Sequence, residues 1–137
     1  MNERSPVRDV LGAIDEFGDA LAAQDIDATL ALLAADADVT VIPSEGVDAH
    51  RGPAAVEAFF RRIYAAPQRY SWRWHDRWVR IDGPWASFVA VGDELVDVPS
   101  ADQRVIPYCL TGTLLRREGR WRFVLLHGSE EPAAPSV

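Results

Sequence analysis

Residues 108–130, YCLTGTLLRREGRWRFVLLHGSE, constrain this chain more than any other stretch: two long alternating runs fold back on each other about Arg117-Glu118-Gly119. The pattern predicts a β-hairpin, with Gly119 supplying the left-handed residue of a three-residue turn followed by a bulge. Arg116 then sits opposite Arg120. That register puts Tyr108, Leu110, Gly112 and Leu114 on one face with Arg122, Val124, Leu126 and Gly128. On the other face Cys109, Thr111, Thr113 and Leu115 meet Trp121, Phe123, Leu125, His127 and Ser129. Neither face is polar enough to lie bare in water. Such a hairpin needs helices on one side and a second surface on the other.

Upstream of the hairpin the period changes twice. Val7, Val10, Leu11, Ile14, Phe17 and Leu21 recur at helical spacing with acids opposite, predicting an amphipathic helix that ends near Ala23. Asp25 and Asp27 are N-cap candidates for a short second helix through Leu30 and Leu33. A short strand over Val39–Ile42 follows, and Val47–His50 is placed to pair back onto it. Gly52-Pro53 opens a third helix whose buried stripe is Val56, Phe59, Phe60, Ile63 and Tyr64. From Tyr70 onward the period is two, with a turn at Asp82-Gly83-Pro84 and a return strand over Trp85–Val98. The predicted class is α+β: three N-terminal helices on a strongly curved, mostly antiparallel sheet. One domain over 7–131 is expected, with flexible ends at 1–6 and 132–137.

Composition excludes several functions. Fourteen basic residues, all Arg, against 21 acidic ones leave a net charge of −7, which disfavours nucleic acid as a partner. No run approaches a membrane span, and one cysteine forms no intramolecular disulfide, so a cytoplasmic protein is expected. His50, His75 and His127 lack ligand spacing, so neither a metal nor another cofactor is expected.

Three motifs carry a resemblance to a family. ALLAADADVTVIP resembles the second helix and first strand of the SnoaL-like branch of the nuclear transport factor 2-like superfamily, and HRGPAAVEAFF resembles its third helix. RREGRWRFVLLHGSEEP resembles the closing hairpin and is similar to the end of the association domain of calcium/calmodulin-dependent kinase. The resemblance implies a cone whose concave sheet, roofed by helices, encloses a pocket for a hydrophobic small molecule. It also implies a convex face used for homodimerisation. Pocket residues are then Phe17, Trp74, Val91, Tyr108, Leu110, Val124 and Leu126, and interface residues Trp121, Phe123, Leu125 and His127. Which face of the Trp72, Trp74 and Trp78 strand lines the pocket stays open.

Catalytic residues are less determined. Ketosteroid isomerases of the superfamily need an aspartate base, a helix tyrosine and an aspartic acid, and the matching positions here are Val41 or Ile42, Phe17, and Thr111 or Gly112. Limonene-epoxide hydrolases place an acid on the last strand, where this chain has Val124, Leu125 and Leu126. Polyketide cyclases of the SnoaL type rely on a pocket acid, and the resemblance implies Asp93, or its neighbour Glu94, for that place, with Tyr108 as the other acid–base candidate. The expected function is a small-molecule-binding domain with an apolar aromatic pocket. Its rivals are an enzyme of cyclase, isomerase, dehydratase or hydrolase type acting on a hydrophobic carbonyl compound, and an association module.

Overall fold

A computed structural model describes residues 5–45 and 48–131. Elements follow in the order α1 (Pro6–Ala23), α2 (Ile26–Ala31), β1 (Thr40–Ile42), β2 (His50–Arg51), α3 (Pro53–Ala65), β3 (Arg69–Asp82), β4 (Trp85–Asp97), β5 (Arg104–Arg117) and β6 (Arg120–Glu130). The expected leader and tail fall mostly outside the described residues, as does Val47 of the expected return strand.

Local chemistry explains the helix ends. Pro6 opens α1, where a missing N–H costs nothing, and Gln24 closes it in the left-handed region at φ 53°. Asp25 caps α2 by accepting from the Ala28 N–H at 3.0 Å. Gly52, at φ 91°, turns the chain into α3 ahead of Pro53.

The six strands form one open sheet in the order β2-β1-β6-β5-β4-β3, antiparallel except where β1 runs parallel to β6. Its concave face packs on the helices. Phe17 of α1 meets Phe60 of α3 edge-on at 5.7 Å and Phe123 of β6 at 5.3 Å, tying three elements at the centre of the core.

The hairpin differs from the predicted register. Glu118 and Gly119, at φ 53° and 74°, form a two-residue turn, so Arg117 rather than Arg116 faces Arg120. A bulge then shifts the pairing between Thr113 and Leu114, with Leu114 opposite Phe123 and Thr113 opposite Leu125. The two-residue turn and the bulge act in opposite ways. Near the turn, Trp121 and Phe123 move to the concave face and are buried in the core. Beyond the bulge, Tyr108, Leu110, Leu126 and Gly128 stay concave and His127 stays convex. The bulge has a visible partner: the segment after α2 docks there, with Phe123 N donating to Leu32 O at 2.9 Å and Ala34 N to Phe123 O at 2.8 Å. Val124, the extra residue, packs in a small separate cluster with Ala34 and Leu115 rather than in the main core.

A second bulge, at His75, divides β3. Trp74 pairs with Gly92 and Asp76 with Val91, leaving His75 as the additional residue. Trp72 and Trp74 pack with the core, whereas Trp78, beyond the bulge, is 54% exposed on the convex side. One strand thus sends its tryptophans to both faces.

Candidate functional site

Between α1, α3 and the concave ends of β4, β5 and β6 lies a cavity of about 350 Å³. Phe17, Phe59, Phe60 and Leu21 form its helical side, and Trp72, Leu110 and Leu126 its sheet side. Two polar groups interrupt this apolar wall from within, Glu94 of β4 and Tyr108 of β5.

Glu94 is the unusual one. It is 9% exposed, and Trp72 Nε1–H donates to its Oε2 at 3.2 Å. Burial dominates and lifts its pKa from 4.5 to about 7, opposed by the Trp72 hydrogen bond and reinforced by the charges of Glu130 and Glu45. At neutral pH the carboxyl therefore divides between its two forms, as an acid–base group must. Tyr108 is held beside it. Its ring lies 6.0 Å from that of Trp72 at an interplanar angle of 21° and 6.3 Å from that of Trp74. Burial, then the charges of Glu94 and Glu130, push its phenol well above the ordinary range, so it stays a neutral donor.

The rim is polar. Ser44, Glu45, Asp48, His50 and Arg62 surround the opening, and Ser44 Oγ donates to Glu130 Oε2 at 3.3 Å. His50 lies over Phe59 with centroids 4.6 Å apart, and the Arg62 guanidinium sits 5.7 Å from the centroid of Phe59. Tyr70 also lines the space, its phenol raised by burial first and then by Glu45, Glu94 and Glu130.

Of the residues expected in a pocket, Phe17, Tyr108, Leu110 and Leu126 do line the cavity. Trp74 lies just outside, in a crevice between α1 and β3 that also holds Asp15, Gly18 and Asp19. Val91 is 39% exposed on the convex face, and Val124 sits in its own cluster. Asp93 is on the convex face as well, accepting from Arg73 Nη2 at 3.0 Å and bonded to His75 Nε2 at 2.9 Å. The Arg73 hydrogen bond leads in lowering its pKa, which favours the ionised carboxylate. Strand alternation separates the neighbours, so Glu94 is the cavity acid. On the outer face Leu125 is half-buried and His127 exposed, while the core encloses Trp121 and Phe123. Sequence reasoning left the face of Trp72 open and passed over Phe59, Phe60 and the acidic rim as site residues, although the α3 stripe was visible in the spacing.

A family model described as the SnoaL-like domain matches residues 10–134. No curated protein matches the chain. Among solved structures, a provisionally named dehydratase of the nuclear transport factor 2-like family from Streptomyces avermitilis is 18% identical, with a TM-score of 0.82 over 93% of this chain and 96% of that one. A provisionally named calcium/calmodulin-dependent protein kinase type II association domain from Thiobacillus denitrificans is 25% identical, with a TM-score of 0.71 over 89% and 94% of the two chains. A provisionally named scytalone dehydratase from Novosphingobium aromaticivorans is 12% identical, with a TM-score of 0.79 over 90% and 83%.

Proposed function

The chain belongs to the SnoaL-like family, within the nuclear transport factor 2-like superfamily, and from that premise we propose that its cavity binds a flat, largely apolar small molecule whose polar group is met by Glu94 and Tyr108. One observation carries this reading: a buried carboxyl and a buried phenol both line a largely apolar hollow of about 350 Å³. That size and this ratio of apolar wall to polar anchor are those of a small-ligand site. Trp72 supports the polar end by fixing one carboxyl oxygen, leaving the rest of the carboxyl available to a ligand. Binding of naphthalen-2-ylmethanol, followed through tryptophan fluorescence, tests the reading. Tyr108→Phe is expected to weaken it several-fold; no quenching with wild-type protein up to solubility would contradict it.

An enzymatic reading is favoured by the position of the Glu94 pKa near 7. In its ionised form Glu94 removes a proton from the carbon next to a carbonyl, while Tyr108 donates a hydrogen bond to the oxygen that gains charge. Return of that proton to a different carbon isomerises the substrate. Loss of a β-hydroxyl, leaving as water with a proton, dehydrates it. Two of the similar folds carry dehydratase names, which at 18% and 12% identity speak only to fold. Deuterium uptake at the α-carbon of 2-tetralone in heavy water, lost in Glu94→Gln, is the test.

Association is the third part of the proposal. The convex face presents Trp78, Val91, Leu125 and His127 as a surface for a second copy of the chain, with Asp93, Arg73 and His75 at its margin. No helix among the described residues is long and apolar enough to cross a membrane. The unpaired Cys109 is compatible with the reducing cytoplasm as its location.

A further inference from the structure

Resting on the reading of the cavity as a ligand site, we propose that it selects molecules carrying a protonated nitrogen, and that its ligand class is a flat aromatic or alicyclic amine rather than a carboxylate or phosphate.

The charge inventory points this way. Glu94 stands inside, Glu45 and Asp48 stand at the opening, and Glu130 is adjacent through Ser44. Elsewhere in the molecule four acids face arginines: Asp15 with Arg77, Asp36 with Arg117, Glu57 with Arg61 and Asp93 with Arg73. Among the described residues no ion pair involves Glu45, Asp48, Glu94 or Glu130. Arg62 is the one arginine among the described residues of the wall, and its guanidinium is associated with the ring of Phe59 rather than with an acid. Among the described lining residues His50, on the same ring, is the other group that can carry positive charge, and Arg104 lies near enough to act on the Tyr70 phenol. An entering anion would therefore meet several carboxylates in a space partly shielded from water, where repulsion is stronger than at an open surface.

Wall chemistry suits a cation equally well. Trp72 and Tyr108 lie nearly parallel at 6.0 Å, and Phe17 stacks on Trp72 at 5.9 Å, so a layer of aromatic rings flanks the end of the cavity where the indole N–H holds the Glu94 carboxyl. An ammonium brings several N–H donors to that carboxyl. It donates to the Glu94 oxygens left free by Trp72, and the Tyr108 hydroxyl, which has no hydrogen-bond partner among the described residues, accepts another of its protons. A neutral alcohol keeps the apolar contacts and loses the charge-assisted bond.

Three isosteric probes measured by calorimetry at pH 8 decide the matter: naphthalen-2-ylmethanamine, naphthalen-2-ylmethanol and 2-naphthoate. The amine is expected to bind about tenfold tighter than the alcohol, the equivalent of one charge-assisted hydrogen bond, and the carboxylate weakest. Glu94→Gln should abolish the amine's advantage, read as the ratio of amine to alcohol affinity within that variant, while cooperative urea unfolding shows that its fold is intact. The advantage should also shrink as pH falls below 7 and Glu94 takes up its proton. Equal affinity for amine and alcohol, tightest binding by the carboxylate, or an amine preference that survives Glu94→Gln overturns the charge selection and leaves the ligand cavity standing. Binding of none of the three overturns both.

Discussion

The hydroxyl of Tyr108 lies directly over Gly128 of the neighbouring strand, so close that a Cβ on that glycine would sit 2.0 Å from the oxygen. Gly128 therefore makes room for the phenol inside the cavity. Gly128→Ala is expected to displace the Tyr108 ring, lower stability by about 1–3 kcal/mol and weaken ligand binding as Tyr108→Phe does. Denaturant unfolding together with a binding titration checks both effects; an alanine variant with wild-type affinity would show that the hydroxyl is not an anchor.

Glu94 makes stability depend on pH. Its folded pKa, about 7, lies above the ordinary 4.5, so between those values the folded state holds a proton that the unfolded state has released. Stability then falls as pH rises through this window, by on the order of 3 kcal/mol, and is flat from this group below it. Glu94→Gln removes the dependence. It should be more stable than wild type at pH 8 and comparable at pH 4.5, measured by urea unfolding at each pH.

The helices and the sheet class were legible in the sequence because their signals are local. Spacing of Val10, Ile14, Phe17 and Leu21 marks α1, Gly52-Pro53 marks the start of α3, and alternation marks the long strands. Bulges are not local signals. The shift at Phe123-Val124 arises where the 32–34 segment takes over the backbone of Phe123, a contact between residues about ninety apart in the chain. Each bulge reverses the inside–outside parity of half a strand. The two-residue turn puts Trp121 and Phe123 in the core instead of an interface, and the bulge at His75 is why Trp74 and Trp78 part company. Tyr108 and His127 keep their expected faces because the two-residue turn and the bulge cancel at that end of the hairpin. Glu94 was separable from Asp93 only once the register of β4 was known.

These placements change how the proposed dimer is tested. Phe123, fully buried against Phe17 and Phe88, is a folding residue: Phe123→Ala should cost about 3–5 kcal/mol and says nothing of association. Val91→Glu places a charge on the exposed convex face without touching the cavity. Sedimentation at micromolar concentration is expected to show a wild-type dimer and a folded Val91→Glu monomer. A wild-type monomer would remove the convex-face interface from the account.

The indole N–H of Trp72, bonded to Glu94, gives the most direct test of the site. The chain has five tryptophans, so a nitrogen-15 spectrum yields five indole signals that single Trp→Phe variants assign. Trp72 is expected to titrate with a midpoint at about 7 and to shift on addition of naphthalen-2-ylmethanamine. A flat Trp72 signal across pH 5–9, with the amine perturbing only the exposed Trp78 and Trp85, would contradict the proposed ligand site.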